Sequence, residues 1–168
     1  LLGYIEQLGC VACSRSHVAD FLVDNKLCKS RQKAFKSHLG RRGKLYVKAN
    51  WTELADAIGA ITAAGGIAVL AHPSRYPLNS KKLTRLVEEF KLHGGEGIEG
   101  TYANIDQATQ RQLKTLALGN DLYLSAGSDF HDSAAQWTDI GKFPPLDREA
   151  QLRAIWLHPR WQALYPSV

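Results

Sequence analysis

The sequence contains no methionine, only three cysteines and no apolar run near the roughly 18–20 residues that a membrane-spanning helix requires. Nothing in it therefore reads as a transmembrane segment, and the opening residues show no basic-then-apolar signal pattern. An odd cysteine count argues against a disulfide framework and suits a reducing cytoplasm. No internal repeat or low-complexity tract is evident. The charged fraction of 22% is too ordinary to signal wholesale disorder, and 168 residues that are 45% hydrophobic can bury one sizeable core. The chain opens Leu1-Leu2-Gly3 without an initiator methionine, so the expectation is a fragment of a longer protein.

What is present begins with charge. The net charge of +5 favours an anionic partner. Much of the excess lies between Arg15 and Lys48, where Lys29, Arg31, Lys33, Lys36, Arg41, Arg42, Lys44 and Lys48 meet few acids. Such a block is either a solvated face or a track for the phosphates of a nucleic acid or nucleotide. Cys10 and Cys13 form a C-x-x-C that His17, Cys28 or His38 would have to complete as a zinc site. A second tight pair is missing, and small buried or half-exposed thiols are the plainer reading.

The chain divides into a basic helical front, residues 1–50, and an α/β back, residues 51–168. In the front, Val18, Phe21 and Leu22 give Ser16–Asp24 a helical stripe. A second short helix is expected from Ser30 to Leu39, stopped by Gly40, with Leu45–Val47 as an extended link. From Trp51 onward helix and strand alternate. Thr52 is the expected cap of a helix carrying Leu54, Ala57, Ile58 and Ile61. A strand Ile67–Ala71 follows, then a helix capped by Asn79 or Ser80, a strand Gly97–Thr101 with Glu99 inside it, and a helix Asp106–Ala117. A strand Leu122–Ala126 and a last helix Arg148–Leu157 complete the pattern. Strands separated by helices imply βα units and a parallel sheet, and three strands are too few to close a barrel.

Two strand ends carry chemistry. Ser125-Ala-Gly-Ser-Asp-Phe-His131 places Asp129 and His131 at i, i+2, on the same side if the segment is extended. Gly66-Ile-Ala-Val-Leu-Ala-His72-Pro73 ends a strand in a histidine that the following proline should hold extended. Metal-type side chains at the C-terminal ends of parallel strands are how α/β barrels build sites. The bland alternatives are a hydrogen-bonding role for His72 and an Asx turn for Asp129. His38, His93 and His158 are expected at the surface.

Ala71-His-Pro-Ser-Arg75 and Gly127-Ser-Asp-Phe-His131 resemble the two late motifs of the PHP (polymerase and histidinol phosphatase) superfamily. Ser14-Arg-Ser-His-Val-Ala-Asp-Phe-Leu22, Ala34-Phe-Lys36 and Leu39-Gly-Arg-Arg-Gly-Lys-Leu-Tyr-Val47 resemble the helical insert of one bacterial branch, the 5′-to-3′ exoribonucleases and nucleoside 3′,5′-bisphosphate phosphatases. The resemblance runs from about Ser14 to Ile155. It implies the C-terminal part of a distorted (β/α)7 barrel and a trinuclear site of divalent ions, of manganese type, that hydrolyses phosphoesters. By the same resemblance His72, Asp129 and His131 are metal ligands, with Asp129 and His131 also catalytic. The family's other ligands would precede Leu1, so the segment alone is expected to be inert.

Arg15, His17 and Arg75 are the candidates for gripping substrate phosphate, since guanidinium matches phosphate oxygens bidentately. The implied substrates are RNA 5′ ends or small nucleotide bisphosphates, with no membrane and no obligate protein partner evident. Two rivals remain. One is a histidinol-phosphatase-like or polymerase-linked phosphoesterase of the same superfamily. The other is a non-catalytic nucleic-acid-binding module with a zinc at Cys10 and Cys13.

Overall fold

The computed structural model describes residues 1–131 and 138–165. The chain forms two compact units, Leu1–Trp51 and Thr52–Val168.

The first unit is helical: α1 (Leu2–Gln7), α2 (Arg15–Asp24) and α3 (Arg31–Ala34), the last running into a π-helical turn over Phe35–Leu39. Ser30 Oγ accepts the Lys33 N–H at 3.2 Å and starts α3, as expected of a serine cap. Ala19, Leu22, Cys28, Ala34 and Leu39 are its buried centre, with Val18, Phe21 and Phe35 packed around them. α1 buries no residue, which is why no apolar stripe announced it. The Leu45–Val47 link begins in a turn and is not extended throughout. Leu45 N–H donates to His38 O at 2.8 Å and folds the basic segment back on the preceding helix end. Gly43 makes that return possible, because a Cβ there would lie 2.3 Å from the His38 backbone.

The second unit alternates helix and strand: α4 (Leu54–Ala63), β1 (Val69–Leu70), α5 (Ser80–Leu92), β2 (Gly97–Thr101), α6 (Gln107–Gly119) and β3 (Tyr123–Ala126). Then come α7 (Arg148–Gln151), a 3₁₀ turn (Ile155–Leu157) and α8 (Pro159–Leu164). Caps set several starts. Asn79 Oδ1 accepts from Lys82 N–H at 3.0 Å, and Asp106 Oδ1 accepts from Ala108 and Thr109 N–H at 2.9 Å each. Thr52 does not cap α4; Glu53 occupies that position without a side-chain bond.

The sheet is parallel in the order β1-β2-β3, with Leu70 opposite Ile98 and Ile98 opposite Leu124. A βα rhythm demands this parallel arrangement, because each helix returns the chain to the same edge. Ile98, Leu122, Leu124, Leu113 and Val87 are fully buried between sheet and helices, each worth about 1.5–3 kcal/mol in transfer terms.

The expected single helix Arg148–Leu157 is broken. Leu124 N–H donates to Arg153 O at 2.7 Å, and Ala154 pairs with Leu124 as a parallel bridge, so a backbone demand of the sheet pulls the chain out of the helix. His158, expected at the surface, is buried. Its Nδ1 accepts from Arg160 N–H at 3.1 Å to start α8, and its Nε2 faces Glu96 Oε2 at 2.9 Å. His93 is exposed, as expected, and His38 is half-buried. Among the described residues no helix is long and apolar enough to cross a membrane.

Candidate active site

Parallel strands put all their C-terminal ends on one edge, and the second unit gathers its chemistry there. His72 follows β1 by two residues. Its backbone is not extended, as the proline rule predicted, but left-handed, with φ 30° and ψ 54°. The His72 N–H donates to Glu99 Oε2 at 2.6 Å, while the His72 carbonyl accepts from Arg75 N–H at 2.9 Å. The chain thus turns through Pro73–Arg75, burying Pro73. The turn leaves His72 Nδ1 buried with no hydrogen-bond partner, a costly state for a polar nitrogen unless something binds it. Tyr76 meets the His72 ring edge-on at 6.0 Å and donates its hydroxyl to Ala71 O at 2.9 Å.

β3 stops at Ala126, so Asp129 and His131 do not share one face of an extended ribbon. Asp129 is left-handed, with φ 51°, a conformation that aspartate tolerates better than most residues. Its side chain is 15% exposed, whereas that of His131 is 78% exposed. The two still touch. His131 Nδ1 lies 2.7 Å from Asp129 O and 3.5 Å from Asp129 Oδ1. A carbonyl can only accept, so Nδ1 carries the proton and donates, leaving the Nε2 lone pair for a cation.

Arg75 ties the two strand-end loops together. Its Nη1 pairs with Asp129 Oδ2, and its Nη2 donates to Ala103 O at 3.4 Å. Its guanidinium lies 4.9 Å from the centre of the Tyr102 ring. The Tyr102 hydroxyl in turn hydrogen-bonds Ser74 Oγ. Arg75 is therefore held by a carboxylate, a carbonyl and an aromatic face.

Glu99 is the residue to which the sequence reading gave no role. It sits in the central strand between Ile98 and Gly100, both buried. Burial raises the affinity of its carboxyl for a proton, the His72 N–H opposes this, and the negative Asp129 adds to the rise. Burial, and then Glu99, likewise push the Tyr76 hydroxyl up. The available signal was a charge inside a central parallel strand, where apolar residues are the rule.

Arg15 and His17 lie in the other unit. Arg15 is the exposed first residue of α2. His17 Nδ1 accepts from Ser14 N–H at 3.1 Å and closes a capping box, leaving Nε2 as its remaining ring nitrogen. The three cysteines are free thiols, with Cys28 buried, Cys10 half-buried and Cys13 exposed.

The donors at the strand ends suit a divalent cation. They are an unpartnered buried imidazole nitrogen, a carboxylate and an exposed imidazole whose tautomer leaves Nε2 open. The set is partial. Among the described residues no group of three His, Cys, Asp or Glu is gathered closely enough to hold an ion.

His72, Arg75 and Asp129 thus lie on the C-terminal edge of a parallel βα sheet, the edge where such folds build their sites. The chain is 38% identical over 143 residues to a 5′-3′ exoribonuclease of Haemophilus influenzae, covering 85% of this chain and 51% of the relative. It is 35% identical over 159 residues to a 3′,5′-nucleoside bisphosphate phosphatase of Chromobacterium violaceum, covering 92% of this chain and 53% of the relative. Among solved structures, an amidohydrolase from Chromobacterium violaceum with bound sulfate and no metal superposes with a TM-score of 0.74 at 32% identity, over 92% of this chain and 57% of that one. A Bifidobacterium adolescentis protein described as a metal-dependent phosphoesterase gives 0.65 at 27% identity, over 86% of this chain and 51% of that one. No family model matches the chain. The chain is a homologue of the bacterial 5′-3′ exoribonucleases and 3′,5′-nucleoside bisphosphate phosphatases, the branch that its Ser14–Leu22, Ala34–Lys36 and Leu39–Val47 segments resemble. It spans about half the length of the curated relatives it matches.

Proposed function

We propose that this chain is the phosphate-handling, C-terminal part of a metal-dependent phosphoesterase of the PHP type. Its substrates are 5′-phosphorylated RNA, degraded in the 5′-to-3′ direction, or nucleoside 3′,5′-bisphosphates. The observation that carries the reading is the buried, unpartnered Nδ1 of His72 on the same strand-end edge as Asp129. His72, Asp129 and His131 would hold divalent metal, with Mn²⁺ the expected ion in a trinuclear site within a distorted (β/α)7 barrel. Three donors do not complete such a site, so the activity is proposed for a protein of the relatives' full length. A cytoplasmic setting fits the three free thiols.

The bound metal would supply Lewis acidity toward a phosphoryl oxygen and lower the pKa of attacking water. The chain's residues do the rest. Asp129 brings a negative charge that neutralises the cation and orients water, and Arg75 holds Asp129 while offering its remaining N–H groups to a phosphate. His131, protonated at Nδ1, presents Nε2. Arg15 and His17 are proposed to bind the substrate's terminal phosphate. The test is hydrolysis by a full-length protein carrying this chain, with paired RNAs bearing 5′-phosphate or 5′-hydroxyl and with adenosine 3′,5′-bisphosphate. Manganese-dependent turnover that prefers the 5′-phosphate or the bisphosphate is expected. Equal rates on both RNAs, or full activity in excess chelator, would overturn the reading.

A further inference from the structure

Glu99 is expensive where it stands. It lies in the middle strand of a parallel sheet, half-buried, and burial is the largest influence on its carboxyl. The backbone of His72 supplies its hydrogen bond. Oε2 accepts the His72 N–H at 2.6 Å, a charge-assisted bond across the gap between β1 and β2. Oε1 faces the other strand-end loop, since a Cβ built on Gly127 would lie 3.6 Å from it. One carboxylate therefore spans the two loops that carry His72 and Asp129.

The His72 conformation explains the need. A non-glycine residue with positive φ is held only where its surroundings over-determine it, and φ 30° before a proline is an unfavourable place for histidine. Without an acceptor for its N–H, His72 would revert toward the extended backbone that Pro73 favours. The imidazole would then swing away from the edge where its Nδ1 now lies, and the Pro73–Arg75 turn that delivers Arg75 to Asp129 would be lost.

We propose that Glu99 is a positioning residue. Its carboxylate locks the left-handed turn at His72 and thereby aims the imidazole, acting through the backbone without binding metal or substrate itself. The metal-related arm of the test rests on the phosphoesterase reading; the backbone arm does not.

The experiment compares Glu99→Ala and Glu99→Gln with the unsubstituted chain. Glutamine keeps a carbonyl oxygen at the same reach and removes the charge. Amide hydrogen exchange at His72 reads the bond directly. It should accelerate at least about tenfold in Glu99→Ala, the loss of one hydrogen bond to a charged group, and remain within about threefold in Glu99→Gln. The second readout is the Mn²⁺ concentration that half-broadens the His72 ring resonances. It should rise about 10–100-fold in Glu99→Ala, as for other groups that orient metal ligands, and be largely restored in Glu99→Gln.

Unchanged His72 exchange in Glu99→Ala would overturn the proposal whatever the metal does. Equal weakening of Mn²⁺ by both variants would also overturn it, because charge and not the hydrogen bond would then be what matters. His72→Ala separates the two readings. If Mn²⁺ broadens the His131 ring resonances of that variant at the same concentration as in the unsubstituted chain, the metal assignment of His72 fails, while the exchange result still judges Glu99.

Discussion

Arg75 and Asp129, 54 residues apart in sequence, meet as an ion pair that joins the loop after β1 to the loop after β3. The pair is unequal in exposure, the arginine side chain at 45% and the carboxylate at 15%. Asp129 is thus the desolvated member. Its negative charge belongs to the edge where a cation is proposed to bind.

Replacing that charge is the sharpest test of catalysis. Asp129→Asn keeps the shape and removes the charge, so turnover in a full-length protein should fall by at least about a hundredfold, as for the loss of one transition-state electrostatic contact. His72→Ala and His131→Ala should lose activity together with metal content. Elemental analysis beside the kinetics checks both. Asp129→Asn working at the normal rate would remove the residue from the site.

Phosphate recognition is separable from metal binding at the arginines. Lysine keeps the charge of Arg75 but not the planar fork that now faces Asp129 and Ala103. Arg75→Lys and Arg15→Lys should weaken kcat/KM on 5′-phosphorylated or bisphosphate substrates by roughly 1–3 kcal/mol, with metal content unchanged. Substrates without the terminal phosphate should be hydrolysed about as poorly by variant as by parent protein. A uniform loss on both kinds, masked by salt, would instead indicate a diffuse basic surface.

At the opposite end of the sheet, His158 gives stability a pH dependence. Burial holds its imidazole below the usual histidine range. Glu96 faces Nε2, but Arg160 also pairs with Glu96, and Arg160 N–H needs the Nδ1 lone pair. The Tyr123 ring packs edge-on at 4.8 Å. The unfolded chain therefore takes up this proton at a higher pH than the folded one. Stability is full above about pH 6.5 and falls with pH down to the lower folded value, with a slope of at most about 1.4 kcal/mol per pH unit for one proton. Urea unfolding between pH 7.5 and 5 should show that slope, flattened in His158→Gln. A slope unchanged by the substitution would assign the effect to other groups.

Periodicity and capping chemistry are local, and the sequence by itself settled what depends on them: alternating helices and strands, a parallel sheet of three strands, and starts at Ser30, Asn79 and Asp106. Two motifs likewise carried the relationship to phosphoester hydrolases. What only the tertiary structure decided depends on partners distant in sequence. Leu124 breaks the last helix by claiming Arg153 O, and Glu96 draws His158 inside. Glu99 overrides the proline rule at His72 from 27 residues away. A backbone preference of roughly 1–2 kcal/mol yields to a hydrogen bond in a partly desolvated place, and no local pattern announces where such an acceptor will arrive.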